Sequence, residues 1–155
     1  MDTLLRIRQI NLQKGKASSV ELTQKKEEVF LISEPNSGKG KVFLLNDSSS
    51  VIFHANDVRP RAAIRTVKRL NAWLVDDFTK RDICTVCIKI GGVKSYLCSL
   101  YLDIELDVVN EDFVRLAAHA HANGIPLIVA MDSNAHSSLW GSRDQNPRGD
   151  KLESA

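Results

Sequence analysis

Apolar and polar positions alternate along most of the first hundred residues, and the alternation predicts strands. Between residues 4 and 12, Leu5 and Ile7 alternate with Arg6 and Arg8, as in a half-buried strand ending near Asn11. Ser18-Ser19-Val20-Glu21 then opens a polar helix, with Ser18 and Glu21 at the spacing of a capping box. Val29-Phe30-Leu31-Ile32 is apolar throughout and reads as a buried strand, stopped at Glu34-Pro35 where proline ends the ladder. A Gly/Lys loop spans 36–41. Further strand-like runs lie at 41–45, 50–54, 61–67, 73–75, 82–90 and 94–101, with Gly91-Gly92 as a hairpin turn between the last two.

From Asn110 the period lengthens to that of a helix. Asn110 is a good N-cap, Glu111 and Asp112 occupy the first turn, and Phe113, Leu116, Ala117 and Ala120 form one apolar stripe. His119 and His121 fall near its C-terminus, where positive charge is favoured, and two residues apart they do not share a face. Gly124 ends the helix, and the apolar run from Pro126 to Ala130 is a buried strand. From Leu139 to Ala155 the chain reads as loop and adds no strand. The order β-α-β, antiparallel meander, α-β predicts a mixed α/β sandwich in one domain spanning 1–155.

Composition changes this picture little. A length of 155 residues suits one domain, and 43% apolar with 26% charged residues is ordinary for a globular protein. The net charge of +2 gives no global field for nucleic acid, so a basic surface has to be local. The N-terminus has no apolar core region of a signal peptide, and no run reaches the eighteen apolar residues of a membrane span. The expectation is an intracellular protein, nuclear or cytoplasmic, with no membrane partner. Cys84 and Cys87 have CxxC spacing, but residues three apart on a strand face opposite sides and cannot share a zinc ion. With Cys98 they read as core thiols.

Candidate chemistry gathers where apolar runs end: Asn11, Glu34, Tyr101, and Asp132 with Asn134. Two positions apart, Asp132 and Asn134 can point the same way off a strand end, toward a divalent cation, a water or a phosphate oxygen. An Asx-rich turn would account for Asp132-Ser133-Asn134 equally well, and Glu34-Pro35 alone is a common turn. Arg59, Arg61, Arg65, Lys68 and Arg69 place five basic residues and no acid in eleven positions. They form either a solvated strand face or a DNA-backbone contact, to which Lys39 and Lys41 could add.

Taken in order, Asn11-Leu12-Gln13, Ser33-Glu34-Pro35, Arg59-Pro60-Arg61-Ala62-Ala63-Ile64, Ser99-Leu100-Tyr101-Leu102-Asp103-Ile104 and Met131-Asp132-Ser133-Asn134 resemble the endonuclease/exonuclease/phosphatase superfamily. The stretch from Asp132 to Ser142, including Ala135-His136-Ser137-Ser138-Leu139-Trp140-Gly141, followed by Asn146-Pro147-Arg148-Gly149, is most similar to the apurinic-endonuclease-like domain of non-LTR retrotransposons. The resemblance covers essentially the whole chain. It implies a four-layered α/β sandwich of the DNase I type and a Mg²⁺- or Mn²⁺-dependent endonuclease that nicks target DNA. The partner it implies besides DNA is a reverse transcriptase domain of the same polyprotein.

Position by position, the resemblance makes Glu34 the metal-binding glutamate with Asn11 beside it, and Tyr101 a contact to the scissile phosphate. Asp132 would position the attacking water and Asn134 would stabilise the transition state. His136, Arg59, Arg61, Lys39 and Lys41 would meet DNA. The family also carries a further aspartate and an Asp-His pair, and this sequence stops at Ala155 before either. The expectation is therefore a domain incomplete at its C-terminal end and impaired as an enzyme. The alternative is an inactive retrotransposon remnant that at most binds nucleic acid.

Overall fold

Ten strands, three α-helices and three short 3₁₀ turns form in the computed structural model, which describes residues 4–45 and 47–154. Strand β1 (Ile7–Asn11) runs parallel to β2 (Val29–Ser33), joined by helix α1 (Lys16–Thr23). A small hairpin, β3 (Ser37–Gly38) and β4 (Lys41–Val42), leads into β5 (Ser50–His54) and β6 (Ala62–Val67). The first sheet has the order β1-β2-β6-β5. The second is built from β7 (Trp73–Leu74), β8 (Ile83–Ile90), β9 (Val93–Tyr101) and β10 (Leu127–Asp132), in the order β10-β9-β8-β7. Helix α2 (Glu111–Ala122) crosses from β9 to its parallel neighbour β10.

Side-chain alternation explains the layering. In β2, Val29 and Leu31 face the second sheet, where they meet Cys84, Val86, Ile88 and Leu97. Phe30 and Ile32 face the other way and pack with Leu12 and with Leu22 of α1. On the far side, Cys87, Cys98 and Leu100 pack with Phe78 and with Leu116 and Ala120 of α2. Helix, sheet, sheet and helix thus stack into a four-layered α/β sandwich, the mixed α/β class that the element order predicts and the layering that the resemblance implies. A central strand covered on both faces has no polar position to show, which is why Val29-Phe30-Leu31-Ile32 is unbroken. Cys84 and Cys87 lie in different cores, and all three cysteines are free and buried. Burial raises the Cys98 thiol to about 12. No helix among the described residues is long and apolar enough to cross a membrane.

Several local expectations change. The Ser18–Glu21 capping box does not form, because α1 starts at Lys16 with Gly15 as its N-cap. The run at 41–45 shortens to β4, since Leu44 adopts a left-handed conformation (φ 63°) that no extended strand accommodates. The tail read as loop contains a 3₁₀ turn, Ser138–Trp140, and a third helix, α3 (Pro147–Glu153). Its start signal was present: Asn146 caps through Gly149 N–H and Pro147 stands in the first turn. Asn110 caps α2 as read, accepting from Phe113 N–H at 2.9 Å.

Candidate active site

Two strand ends from each sheet meet at one end of the sandwich. The register sets Asn11 beside Ser33 and Tyr101 beside Asp132. Asn11 Nδ2 donates to Glu34 Oε2 at 3.0 Å and to Asp132 Oδ2 at 2.6 Å, so one amide bridges two carboxylates from different sheets. The Ser33 hydroxyl donates to the same Asp132 oxygen at 3.2 Å. Asn11 Oδ1 accepts from Gln13 N–H at 2.7 Å, an Asx turn that fixes which end of the amide faces the acids. Glu34 sits in the left-handed region (φ 48°), and Lys14 Nζ lies 3.8 Å from its other oxygen. Strained backbone of this kind costs energy and persists where the surroundings over-determine it; here the Glu34 N–H donates to Arg61 O and its carbonyl accepts from Lys14 N–H.

Tyr101 ends β9 with its ring 4.7 Å from the Arg61 guanidinium. Burial raises the phenol pKa and the Glu34 carboxylate adds to the effect, opposed by Arg61 and by a hydrogen bond with the Asn134 side chain. The phenol is therefore a neutral hydrogen-bond donor at physiological pH. The strand register pairs Tyr101 with Asp132. Arg61 was expected at the DNA face, yet it is only 17% exposed and its fork is engaged. Nε and one amino group bond Asp82 at 2.6 Å each, and the other bonds Asp103 at 2.5 Å. Those bonds, to Asp82 first, hold its pKa above the ordinary arginine value. Arg61 is a buttress for Tyr101 and has no free donor edge for a phosphate. Arg65, in the same basic run, is buried between Leu45 O and Asp47, and Arg69 pairs with Glu28. Of the run's arginines, Arg59 forms no ion pair among the described residues and stays exposed.

Asn134 is also left-handed (φ 51°), and its side chain donates to Leu102 O at 3.0 Å. The segment Asn146-Pro147-Arg148-Gly149, a mark of the resemblance with no role of its own there, holds this turn from behind. Asn146 Nδ2 donates to Asn134 O at 3.3 Å, while its Oδ1 accepts from His136 N–H at 3.0 Å. Arg148 donates to Ser133 O at 3.1 and 3.2 Å, to Ile104 O at 3.1 Å and to Leu106 O, tying together the loops after β9 and β10. A Cβ at Gly149 would lie 2.0 Å from His136 O, so only glycine lets this helix approach. The motif's caps and contacts are side chain to backbone, which sequence periodicity does not reveal.

Two cavities flank the bridged carboxylates. One, of about 460 Å³, is lined by Asn11, Ser33, Asp132, Asn134, His136 and Trp140 among others. The second, of about 240 Å³, lies on the other side of Glu34 and carries Lys14, Arg59, Arg61 and Arg81. Arg59 thus stands beside the site and His136 lines it, with Nδ1 bonded to Asp144 at 2.8 Å. Lys39 and Lys41 are exposed on the β3–β4 hairpin and line neither cavity. No group of three or more His, Cys, Asp or Glu side chains suited to a metal ion occurs among the described residues. The donors at the cleft are all oxygens, from Glu34 and Asp132, which fit a hard cation such as Mg²⁺ or Mn²⁺. Asn11 is oriented to hold those carboxylates together, since its own oxygen is taken by Gln13.

No protein-family profile and no curated protein sequence matches this chain. Among solved structures, the endonuclease domain of TRAS1, a telomere-specific non-LTR retrotransposon, is similar with a TM-score of 0.73 and 23% identity. The match covers 97% of this chain and 68% of that one. Humanized D. rerio TDP2 carrying 14 mutations is similar with a TM-score of 0.58 and 15% identity, over 89% of this chain and 67% of that one. At these identities the likeness shows a shared DNase I-like fold.

Proposed function

We propose that this domain is a divalent-metal-dependent DNA endonuclease of the non-LTR retrotransposon kind, and that residues 1–155 alone are a weak catalyst. The observation that supports it most is the Asn11 bridge joining Glu34 and Asp132, with Tyr101 and Asn134 alongside, on a fold shared with the TRAS1 endonuclease domain. In this reading Glu34 holds the cation and Asn11 orients both carboxylates. The bound Mg²⁺ or Mn²⁺ supplies neutralisation of phosphate charge. Asp132 accepts a hydrogen bond from the attacking water and aligns it, helped by the Ser33 hydroxyl that fixes its other contacts. Tyr101, a neutral phenol, donates to a phosphate oxygen, and Asn134 faces the charge that develops there. A DNA nick made this way would serve a reverse transcriptase domain in the same polyprotein. The weak-catalyst part follows from the cleft's contents: beyond His136, none of the described residues lining it offers a second general acid or base.

Nicking of supercoiled DNA with Mg²⁺ tests this reading. Residues 1–155 should nick slowly, and appending the third of the TRAS1 endonuclease domain that has no counterpart here should raise the rate. Asp132→Ala and Glu34→Ala should each abolish it. Nicking unaffected by both substitutions would overturn the assignment. That no three His, Cys, Asp or Glu side chains gather to hold a metal ion among the described residues favours a second reading, an inactive remnant that binds nucleic acid. Binding with no nicking in either form would select it.

A further inference from the structure

Trp140 has no part in the chemistry above, yet it lines the same 460 Å³ cavity as Asn11, Asp132 and Asn134. It is 44% exposed, so part of the ring is open to a ligand in that cavity. Its one polar atom is already bonded, the indole N–H donating to Ala135 O at 3.2 Å. The ring is held by its own backbone turn, Ser138–Trp140, which Ser137 Oγ caps by accepting from Leu139 N–H at 3.0 Å and which ends at Gly141 (φ 82°). What the ring offers the cavity is therefore apolar π surface at a fixed place, with no hydrogen bond left to give.

We propose that Trp140 is a stacking platform for a nucleobase of the DNA strand whose phosphate lies at Asn11, Asp132 and Asn134, an inference that rests on the nuclease reading. The occupant follows from the chemistry of the cavity. Its lining joins amides and the Asp132 carboxylate, suited to a metal-bound phosphate, with a flat aromatic face. A nucleotide joins those two requirements within one ligand, and every base has a face to stack. His136 lines the same cavity with Nδ1 bonded to Asp144, which leaves Nε2 for the sugar-phosphate backbone. An aromatic contact of this sort accepts any base, so it would add affinity and strand placement without sequence preference.

The chain has two tryptophans, so Trp73→Phe leaves Trp140 as the sole indole emitter. That variant is titrated with a single-stranded 20-mer DNA and with a 20-mer of the same charge made wholly of abasic residues, following emission and, through an end label, anisotropy. The normal 20-mer should quench Trp140 emission and the abasic one should not. Trp140→Ala should weaken binding of the normal 20-mer about 5- to 150-fold, the size of one base–aromatic stack, and leave the abasic 20-mer unchanged. Trp140→Phe should recover most of that loss, and thermal unfolding would show that both variants remain folded. Equal quenching by both DNAs, or binding with no emission change, overturns the proposal while the nuclease reading stands. Failure of both DNAs to bind overturns both readings.

Discussion

In β2 every residue is buried, and in β8 only the last two are not, whereas β1 leaves Arg8, Gln9 and Asn11 exposed and β10 leaves Ile128 exposed. The first pair occupies the middle of the two sheets and the second pair their edges. The candidate site draws on both: Ser33 and Glu34 follow the buried β2 and Tyr101 ends β9, while Asn11 and Asp132 end the edge strands. Half of the cleft is thus fixed by packing on two faces. The other half is fixed by a few polar bonds across the sandwich, namely Asn11 to Asp132 and Gln9 Nε2 to Met131 O at 3.1 Å. Edge strands paired on one side present free backbone groups and invite association. The site therefore combines a rigid floor with a wall whose position depends on its neighbours.

The largest effect should come from the buried half. Phe30→Ala, at 0% exposure between β2 and α1, is expected to cost about 3–5 kcal/mol in urea unfolding. Ile128→Lys on the edge should change stability by less than about 1 kcal/mol and lower self-association in sedimentation velocity. A similar loss at the two positions would remove the contrast. Next in size is Arg61→Ala, which strips Asp82 and Asp103 of their shared partner and the Tyr101 ring of its support. Deleting one partner of a half-buried ion pair should cost about 2 kcal/mol. It should also lower the Tyr101 signal dispersion in NMR spectra without disturbing α1.

A smaller effect concerns acid. Asp47 is held well below the usual carboxylate range, by the Ser49 hydroxyl first and by Ser49 N–H and Arg65 besides. Asp103 is lowered by Glu105 N–H and then by Arg61. Both bind protons less tightly folded than unfolded, so the stability they give is complete above about pH 4 and is lost as pH falls further. Urea midpoints should decline below that pH, and Asp47→Asn should flatten the decline. A midpoint that rises on acidification would show these contacts to be unimportant.

The strands and α2 were legible because each has a covered face whose period is written in the chain, as in Phe113, Leu116, Ala117 and Ala120. The convergence of Asn11, Glu34, Tyr101 and Asp132 on one candidate cleft was legible for a related reason, since all four follow or end apolar runs. What escaped depends on long-range partners. Nothing near Arg61 foretells Asp82 and Asp103, so a buttress read as a DNA contact. Arg148 acts on carbonyls 15 to 44 positions away, where no local pattern reaches. The α3 helix had its Asn146-Pro147 start signal but only Leu152 as an apolar anchor, and so it read as loop.

Calorimetric titration with Mg²⁺ probes most directly whether Glu34, holding the cation, and Asp132, aligning the water beside it, act as one unit across the two sheets. Wild-type protein should show a single saturable site. Glu34→Gln and Asp132→Asn should each weaken it about 10-fold or more, and the double variant should lose little beyond the worse single one, as expected for groups that act as one unit. Mg²⁺ binding that is unchanged in both single variants, or losses that simply add, would contradict the account.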